Sequence, residues 1–332
     1  MEPSDAGRQL GLAEQSDCAR PFSLLKQPSN AATPYAMVST LHIANAMTAE
    51  GQLVPDKWKD RIIIELGANH INTIAQSLFK QKSFTGKYFV LSFEPVLDKY
   101  AANLGDASLP GRLTPAGYHN QRGIILPFAV GPDEGTAEFN VPSGGAGCAS
   151  LLNLNPQNKG KRHLNWACEQ VADVRRTQVI SLRTVLGFLP SGSEVPFLKV
   201  DVQRVDLRAV LSAGDRIKAL QRVQMEVTSG PGERGQGSCY EALRKMAQVG
   251  FRLATAQEVA GFAPLEGAYG TPLVYDGGPI QCNFTVAGKK TQLGDEVDVF
   301  FIRQDPPVPT AFHLLGRSEL KLWRSGSKDP KE

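Results

Sequence analysis

The chain has 332 residues, of which 42% are hydrophobic and 21% are charged, as in a soluble globular protein with a substantial core. Its net charge of only +3 does not indicate a nucleic-acid partner. No apolar run approaches the roughly 18 residues that a membrane-spanning helix needs, so we expect no membrane partner either.

The five cysteines include no C-x-x-C pair, and their number is odd. This pattern argues against a disulfide framework and against a zinc site, and no other cluster has metal-ligand spacing. The first residues also lack the basic and then apolar pattern of a secretory signal. The sequence therefore predicts a cytoplasmic protein in a reducing compartment, with no bound metal.

Elements that alternate along the chain predict an α/β fold with a mostly parallel sheet and helices on both faces. Residues 1–34 are polar and aperiodic, which predicts a mobile or wrapping arm. Short apolar runs predict strands at 62–65, 87–93, 123–130, 195–202, 222–227, 250–254 and 297–303. Helical patterns lie at 35–49, 73–80, 96–103, 207–213 and 241–249.

The predicted domain spans residues 35–305 and is followed by a tail at 306–332. An insertion at about 132–194 interrupts it and holds a hairpin strand at 136–141, a small-residue loop at 143–150 and a strand near 179–182. The loop, which ends at Ser150, is either a flap over a ligand or a flexible hairpin tip. A second irregular stretch, at 256–296, is rich in glycine, and long loops of this kind commonly carry substrate contacts.

The first predicted strand runs into an acid, a glycine and an asparagine, namely Glu65, Gly67 and Asn69. Gly67 lets the backbone turn tightly and approach a ligand closely. The predicted helix that follows would direct free N–H groups at the pocket, and Glu65 could bind ligand hydroxyls or an ammonium group. An ordinary strand-to-helix turn, capped by Asn69, is the alternative.

Glu94 ends the second predicted strand, and Pro95 fits the first turn of the next helix. An acid at this place can accept hydrogen bonds from both hydroxyls of a ribose, although the helix dipole alone would also favour it. The G-x-G-x-x-G loop that holds a pyrophosphate is missing, which disfavours a nicotinamide dehydrogenase. The predicted ligand is an adenosine without phosphates, which indicates S-adenosylmethionine.

Ordered motifs then connect the chain with a known group. The segments IIELGAN, FEP, PFAVGPDEGTAEF, ASLL, VISLRTVL, FLKVDV, MEV and VGFRL occur in the order typical of the FkbM-type S-adenosylmethionine-dependent methyltransferases, which the chain resembles over about residues 61–303. The resemblance implies a Rossmann-like class I methyltransferase fold, whose sheet has seven strands with the last one antiparallel. Members typically methylate hydroxyls of sugars or small metabolites.

The resemblance also implies a cofactor site. Gly67 and Asn69 would line its methionine end, Glu94 would hold the ribose, and Ala129 and Val130 would lie beside the adenine. The neighbouring residues Glu65, Ala68 and Pro95 complete the predicted set.

Four positions depart from the family's patterns, which are D-x-G-A-N-x-G and K-[IV]-D-[IV]-E-G. Glu65 replaces the first Asp, and Ile71 replaces the last Gly of the first pattern. Gln203 and Arg204 replace the Glu and the Gly of the second. Gln203 cannot act as a base, and Arg204 restricts a turn that glycine would relax.

Transfer to a hydroxyl usually requires a base, and Asp201 beside Lys199 is the first candidate. A purely structural cap and ion pair is the alternative for these two residues. His70, next to the glycine loop, is the second candidate. Glu226, at the end of the fifth strand, could face the pocket, and a structural role opposite a helix N-terminus is the alternative.

The sequence thus predicts an S-adenosylmethionine-dependent methyltransferase that acts on a hydroxyl of a small molecule or sugar. Because of Ile71, Gln203 and Arg204, a methyltransferase-like binding or scaffold protein with weak or no catalysis is the alternative. The sequence does not indicate an oligomeric state.

Overall fold

The computed structural model describes residues 47–48, 51–69, 88–107, 123–142, 149–152, 171–228, 238–260, 274–277, 280, 282, 285–286, 289–290 and 296–304. The predicted N-terminal arm, the predicted helix at 73–80 and the C-terminal tail lie outside these residues.

A seven-stranded sheet forms the centre of the fold, as predicted. Its strands are β1 (Ile62–Leu66), β2 (Phe89–Phe93), β3 (Gly123–Leu126), β7 (Phe197–Val200), β8 (Arg222–Thr228), β9 (Phe251–Leu253) and β12 (Glu296–Arg303). Their spatial order is β3-β2-β1-β7-β8-β12-β9, and every pairing is parallel except those of β12, which runs antiparallel to β8 and β9.

The third predicted strand divides in two. Residues 123–126 pair with β2 in the main sheet, whereas β4 (Ala129–Val130) pairs with β6 (Val171–Ile180) in a second sheet. Pro127 lies between the two pieces and has no N–H to donate, so one ladder cannot continue through it. The second sheet has the order β4-β6-β5, in which β5 (Gly135–Pro142) runs antiparallel to β6.

The predicted strand near 179–182 is also wrong in its bounds. It begins eight residues earlier, at Val171, because pairing with β5 supports polar residues that show no apolar pattern of their own. It ends at Ile180, since the Ser181 hydroxyl accepts a hydrogen bond from the Thr184 N–H and starts a short helix there.

Five α-helices are described: α1 (Leu97–Ala107), α2 (Leu182–Gly187), α3 (Asp206–Leu211), α4 (Cys239–Gln248) and α5 (Ala256–Ala260). Side chains of α2, α3 and α4 pack on one face of the main sheet in its largest apolar cluster. Residues 285–286 and 289–290 form β10 and β11, which pair only with each other. Within the described residues, no helix has the length and apolar character needed to cross a bilayer.

The opposite face of the main sheet carries a row of buried polar side chains near the carboxyl ends of the parallel strands. Glu65 on β1 is in register with Ser92 on β2 and with Lys199 on β7, and Lys199 is in register with Gln224 on β8. Asp298 on β12 accepts a hydrogen bond from Gln224 and so ends the row. All five side chains are buried.

Cys239 and Cys282 form a disulfide, which corrects the expectation of a chain without one. The bond joins the first residue of α4 to the second irregular stretch, and both cysteines are buried in the main core. The two cysteines lie 43 residues apart, a spacing without a recognisable motif. Because disulfides persist in oxidising compartments, the cysteine pattern no longer supports a reducing one.

Replacing both Cys239 and Cys282 by serine should lower the free energy of unfolding by about 3–4 kcal/mol, because the disulfide closes a long loop in the unfolded chain. Urea unfolding of the oxidised protein and of the double variant measures the difference. As a control, peptide mapping of the alkylated wild type should find the peptides that contain Cys239 and Cys282 linked to each other. If the two proteins unfold at the same urea concentration and reductant leaves the wild type unchanged, the disulfide does not stabilise the fold.

Candidate functional site

A cleft of about 520 Å³, partly open to solvent, lies at the carboxyl ends of β1, β2 and β7. Residues just beyond each of these strands line it, including Gly67, Glu94 and Asp201. Ligands bind at this edge of doubly wound sheets.

Gly67 brings the ends of β1 and β7 into close contact. Its φ of 78° is left-handed, and a Cβ at this position would lie 1.8 Å from the carbonyl oxygen of Asp201. One residue earlier, the carbonyl of Leu66 accepts a hydrogen bond from the Asp201 N–H at 3.0 Å. Gly67 is therefore required by the approach of two backbones, in addition to any approach of a ligand.

Asn69 is held in the left-handed region, with a φ of 54°, by contacts on three sides. Its N–H donates to Glu94 Oε2 at 2.6 Å, Lys99 Nζ donates to its side-chain oxygen, and Asn103 Nδ2 donates to its carbonyl. Asparagine tolerates this backbone conformation better than most residues. The loop after β1 is thus fixed against the first turns of α1.

Glu94 is buried, with 4% exposure, and its carboxylate lies at the floor of the cleft. Burial raises the pKa of Glu94, and the N–H groups of Val96 and Asn69 together with the charge of Lys99 only partly oppose this effect. The Val96 N–H donates to Oε1 at 2.8 Å, and the Asn69 N–H to Oε2. Since a carboxylate oxygen accepts about two hydrogen bonds, each oxygen can still accept one from a ligand.

Asp201 presents its carboxylate to the cleft between two donors. Lys199 Nζ donates to Oδ2 at 3.1 Å, and Gln203 Nε2 donates to Oδ1 at 2.7 Å. Burial alone would lower the pKa of Lys199, but the charges of Asp201, Glu65 and Asp298 outweigh burial and raise it. Lys199 therefore carries a positive charge and has no free lone pair with which to take up a proton.

Two departures from the family pattern lie in strained backbone. Gln203 has a φ of 53° and Arg204 a φ of 79°, values that glycine adopts freely and other residues rarely do. The Ser150 hydroxyl donates to the carbonyl of Gln203 at 2.6 Å and so helps to hold this turn.

The insertion supplies the apolar wall of the cleft. Phe139 on β5 and the neighbouring residues Ala149 and Leu151 line the cleft, and they pack with Val96 and Val179 in one apolar cluster. Ser150 and Asn140 pair through both backbone N–H groups, which ties residues 149–152 to β5.

Most of the residues that the sequence singled out for the site meet at this cleft. The following predicted residues line it: Gly67, Asn69, Glu94, Pro95, Ala129, Val130 and Asp201. The structure thus brings them together, and their contacts with a cofactor stay a prediction.

The remaining candidates lie elsewhere. Glu65 is fully buried below the cleft, where Ser92 Oγ donates to it at 3.3 Å. Ala68 packs against Tyr100 and Ile125, and Lys199 lies beneath Asp201. Glu226 pairs in register with Asp298 and is not among the described lining residues.

His70 and Ile71 lie outside the described residues. In the part of the chain that the structure describes, no group of three or more potential metal ligands comes together.

Reasoning from sequence missed several residues in and around the cleft, among them Phe139, which lines it, and Lys99, which lies nearby. Lys99 lies in the first turn of α1, five residues after Glu94, and its ammonium group interacts with the charges of Glu94 and Asp201. Burial lowers the pKa of Lys99 despite these two carboxylates. Phe139 could have been found from the alternation of polar and apolar residues along β5, since it shares one face of the strand with Ala137 and Val141.

A family model described as "Methyltransferase FkbM domain" matches residues 65–253, which is more than half of the chain. The matched region begins within β1, ends with β9 and includes every described residue that lines the cleft. Neither the curated proteins nor the solved structures contain a match to the chain.

Replacing Gly67 by alanine should lower the free energy of unfolding by more than about 3 kcal/mol, because a left-handed alanine costs about 1–2 kcal/mol and its Cβ would clash with the Asp201 backbone. Gly277→Ala is the matched control, since Gly277 has a φ of 93° and open space around it. Gly277→Ala should lose only the free energy of unfolding that a left-handed alanine backbone costs, without a clash. Urea unfolding compares the two variants, and equal losses would mean that the close contact does not constrain the site.

Proposed function

The chain belongs to the FkbM methyltransferase family, and we propose that it transfers a methyl group from S-adenosylmethionine to a hydroxyl of a small molecule or sugar. Methyl transfer follows from the family. The donor and the acceptor are proposals, and the observation that carries them is the pair of carboxylates, Glu94 and Asp201, that line one cleft. The family match also supports an enzyme over the alternative of a binding or scaffold protein.

The residues present fit an adenosyl donor. Glu94 offers acceptor sites for the two ribose hydroxyls, and Ala129 and Val130 give an apolar surface for the adenine. Gly67 and Asn69 line the same cleft, and the methionine part of the donor would contact them. Among the described loops at this edge, none has the glycine pattern of a diphosphate site, which favours an adenosine without phosphates.

S-adenosylmethionine supplies a methyl group on a sulfonium centre and leaves as the neutral thioether S-adenosylhomocysteine. Asp201 would hold the acceptor hydroxyl and accept its proton as the oxygen–carbon bond forms. Lys199 would keep the Asp201 carboxylate oriented, because its raised pKa keeps it charged and therefore a donor. Most of the acceleration would come from holding the acceptor oxygen in line with the methyl group.

Glu94 provides the sharpest test of the donor site. Titration calorimetry with S-adenosylhomocysteine should detect binding to the wild type, and Glu94→Ala should raise Kd about 10- to 150-fold, since a lost hydrogen bond to a charged group is worth ~1.5–3 kcal/mol. Glu94→Gln retains one oxygen acceptor, so its Kd should lie between those of the wild type and of Glu94→Ala.

Glu134→Ala is the matched control for this titration. The Glu134 carboxylate also accepts hydrogen bonds from a backbone N–H and from the hydroxyls of Ser181 and Thr184, but it does not line the cleft. Its loss should therefore leave Kd unchanged. A wild type that binds nothing at millimolar ligand would refute the donor, and a Glu94→Ala Kd within threefold of the wild type would refute the ribose role.

A further inference from the structure

The cleft has two walls that come from distant parts of the chain. Phe139, Ala149 and Leu151 form an insertion wall, whereas Asp201, Val202 and Gln203 form a wall that follows β7. Both segments line the same cleft, so a contact that holds them together helps to fix the width of the site.

Ser150 makes that connection. Its side chain is buried, with 4% exposure of the residue, and its hydroxyl donates to the carbonyl of Gln203 at 2.6 Å. The same hydroxyl accepts the N–H of Leu152 at 3.1 Å. On the other side, the backbone of Ser150 is bonded twice to Asn140 on β5, at 2.9 and 3.0 Å. The backbone of Ser150 is therefore fixed to the insertion, while its side chain is hydrogen-bonded to the wall that follows β7.

The residue that accepts this hydrogen bond, Gln203, is also the one that contacts Asp201. Gln203 is held in left-handed backbone, and its amide donates to Asp201 Oδ1 at 2.7 Å. A backbone conformation of this kind costs about 1–3 kcal/mol and persists only where its surroundings hold it. If the bond from Ser150 were lost, the turn could relax, and the Gln203 amide would leave Asp201.

We propose that Ser150 is a positioning residue that locks the insertion wall onto the turn after β7, so that the cleft keeps its width and Asp201 its orientation. The inference rests on the proposed function insofar as the cleft holds an adenosyl donor. Ser150 itself is not among the residues that line the cleft, and it acts through Gln203.

Hydrogen exchange of the full chain without ligand tests directly whether Ser150 holds the two walls together. The N–H of Asp201 donates to Leu66 and the N–H of Val202 to Asp206, so neither amide is bonded to Ser150. In Ser150→Ala, both amides should nevertheless exchange about fivefold faster. Ser150→Thr keeps the hydroxyl and should restore slow exchange.

Ser212→Ala is the matched control, because the Ser212 hydroxyl also donates to a backbone carbonyl, that of Ala209 at 2.6 Å, and accepts a backbone N–H, that of Leu182 at 2.8 Å. It should lose a comparable amount of stability without faster exchange at Asp201 and Val202. Titration with S-adenosylhomocysteine should likewise show a Kd about fivefold higher in Ser150→Ala and unchanged in Ser212→Ala.

The proposal is overturned if Ser150→Ala leaves exchange at Asp201 and Val202 unchanged, if Ser212→Ala accelerates it equally, or if Ser150→Ala binds S-adenosylhomocysteine as the wild type does. Failure of the proposed donor has a different signature. The wild type itself would then not bind S-adenosylhomocysteine, and the exchange comparison alone would decide whether Ser150 locks the two walls.

Discussion

The buried ammonium group of Lys199 is the charge around which the sheet and the site are arranged. An unpaired charge in such a place costs about 3–5 kcal/mol, so other strands of the sheet have to present partners for it. Glu65 lies in register on β1, Asp298 contributes from β12, and Asp201 bonds to it at 3.1 Å. The same charge that holds the middle of the sheet together thus fixes the carboxylate that faces the cleft.

Much of the fold follows from the sequence because the central strands are buried on both faces, largely apolar, and separated by turn and helix patterns. The failures have local causes. Pro127 divides a continuous apolar run between two sheets, and β6 is a strand chiefly because β5 pairs with it. The Cys239–Cys282 bond depends on how the chain folds back over 43 residues, which no spacing motif reveals.

The site was predictable to the extent that its residues follow the ends of strands, since all these ends meet at one edge of the sheet. What the sequence does not reveal is the direction of each side chain. Glu65, expected at the ligand, turns below the cleft toward Lys199, while Lys99 reaches the cleft's carboxylates from α1. The sequence also does not reveal the contact between Ser150 and Gln203, which lie 53 residues apart.

Transfer of label from S-adenosylmethionine with a radioactive methyl group to a panel of sugars and small hydroxylated molecules tests the central claim most directly. The account predicts labelled product with the wild type, and a rate at least about 100-fold lower in Asp201→Asn, because loss of a general base typically costs 10²–10⁴-fold. This variant should still bind S-adenosylhomocysteine, which shows that its cleft is intact. Transfer by Asp201→Asn at the wild-type rate, or a wild type that binds the donor and labels no acceptor, would contradict the account.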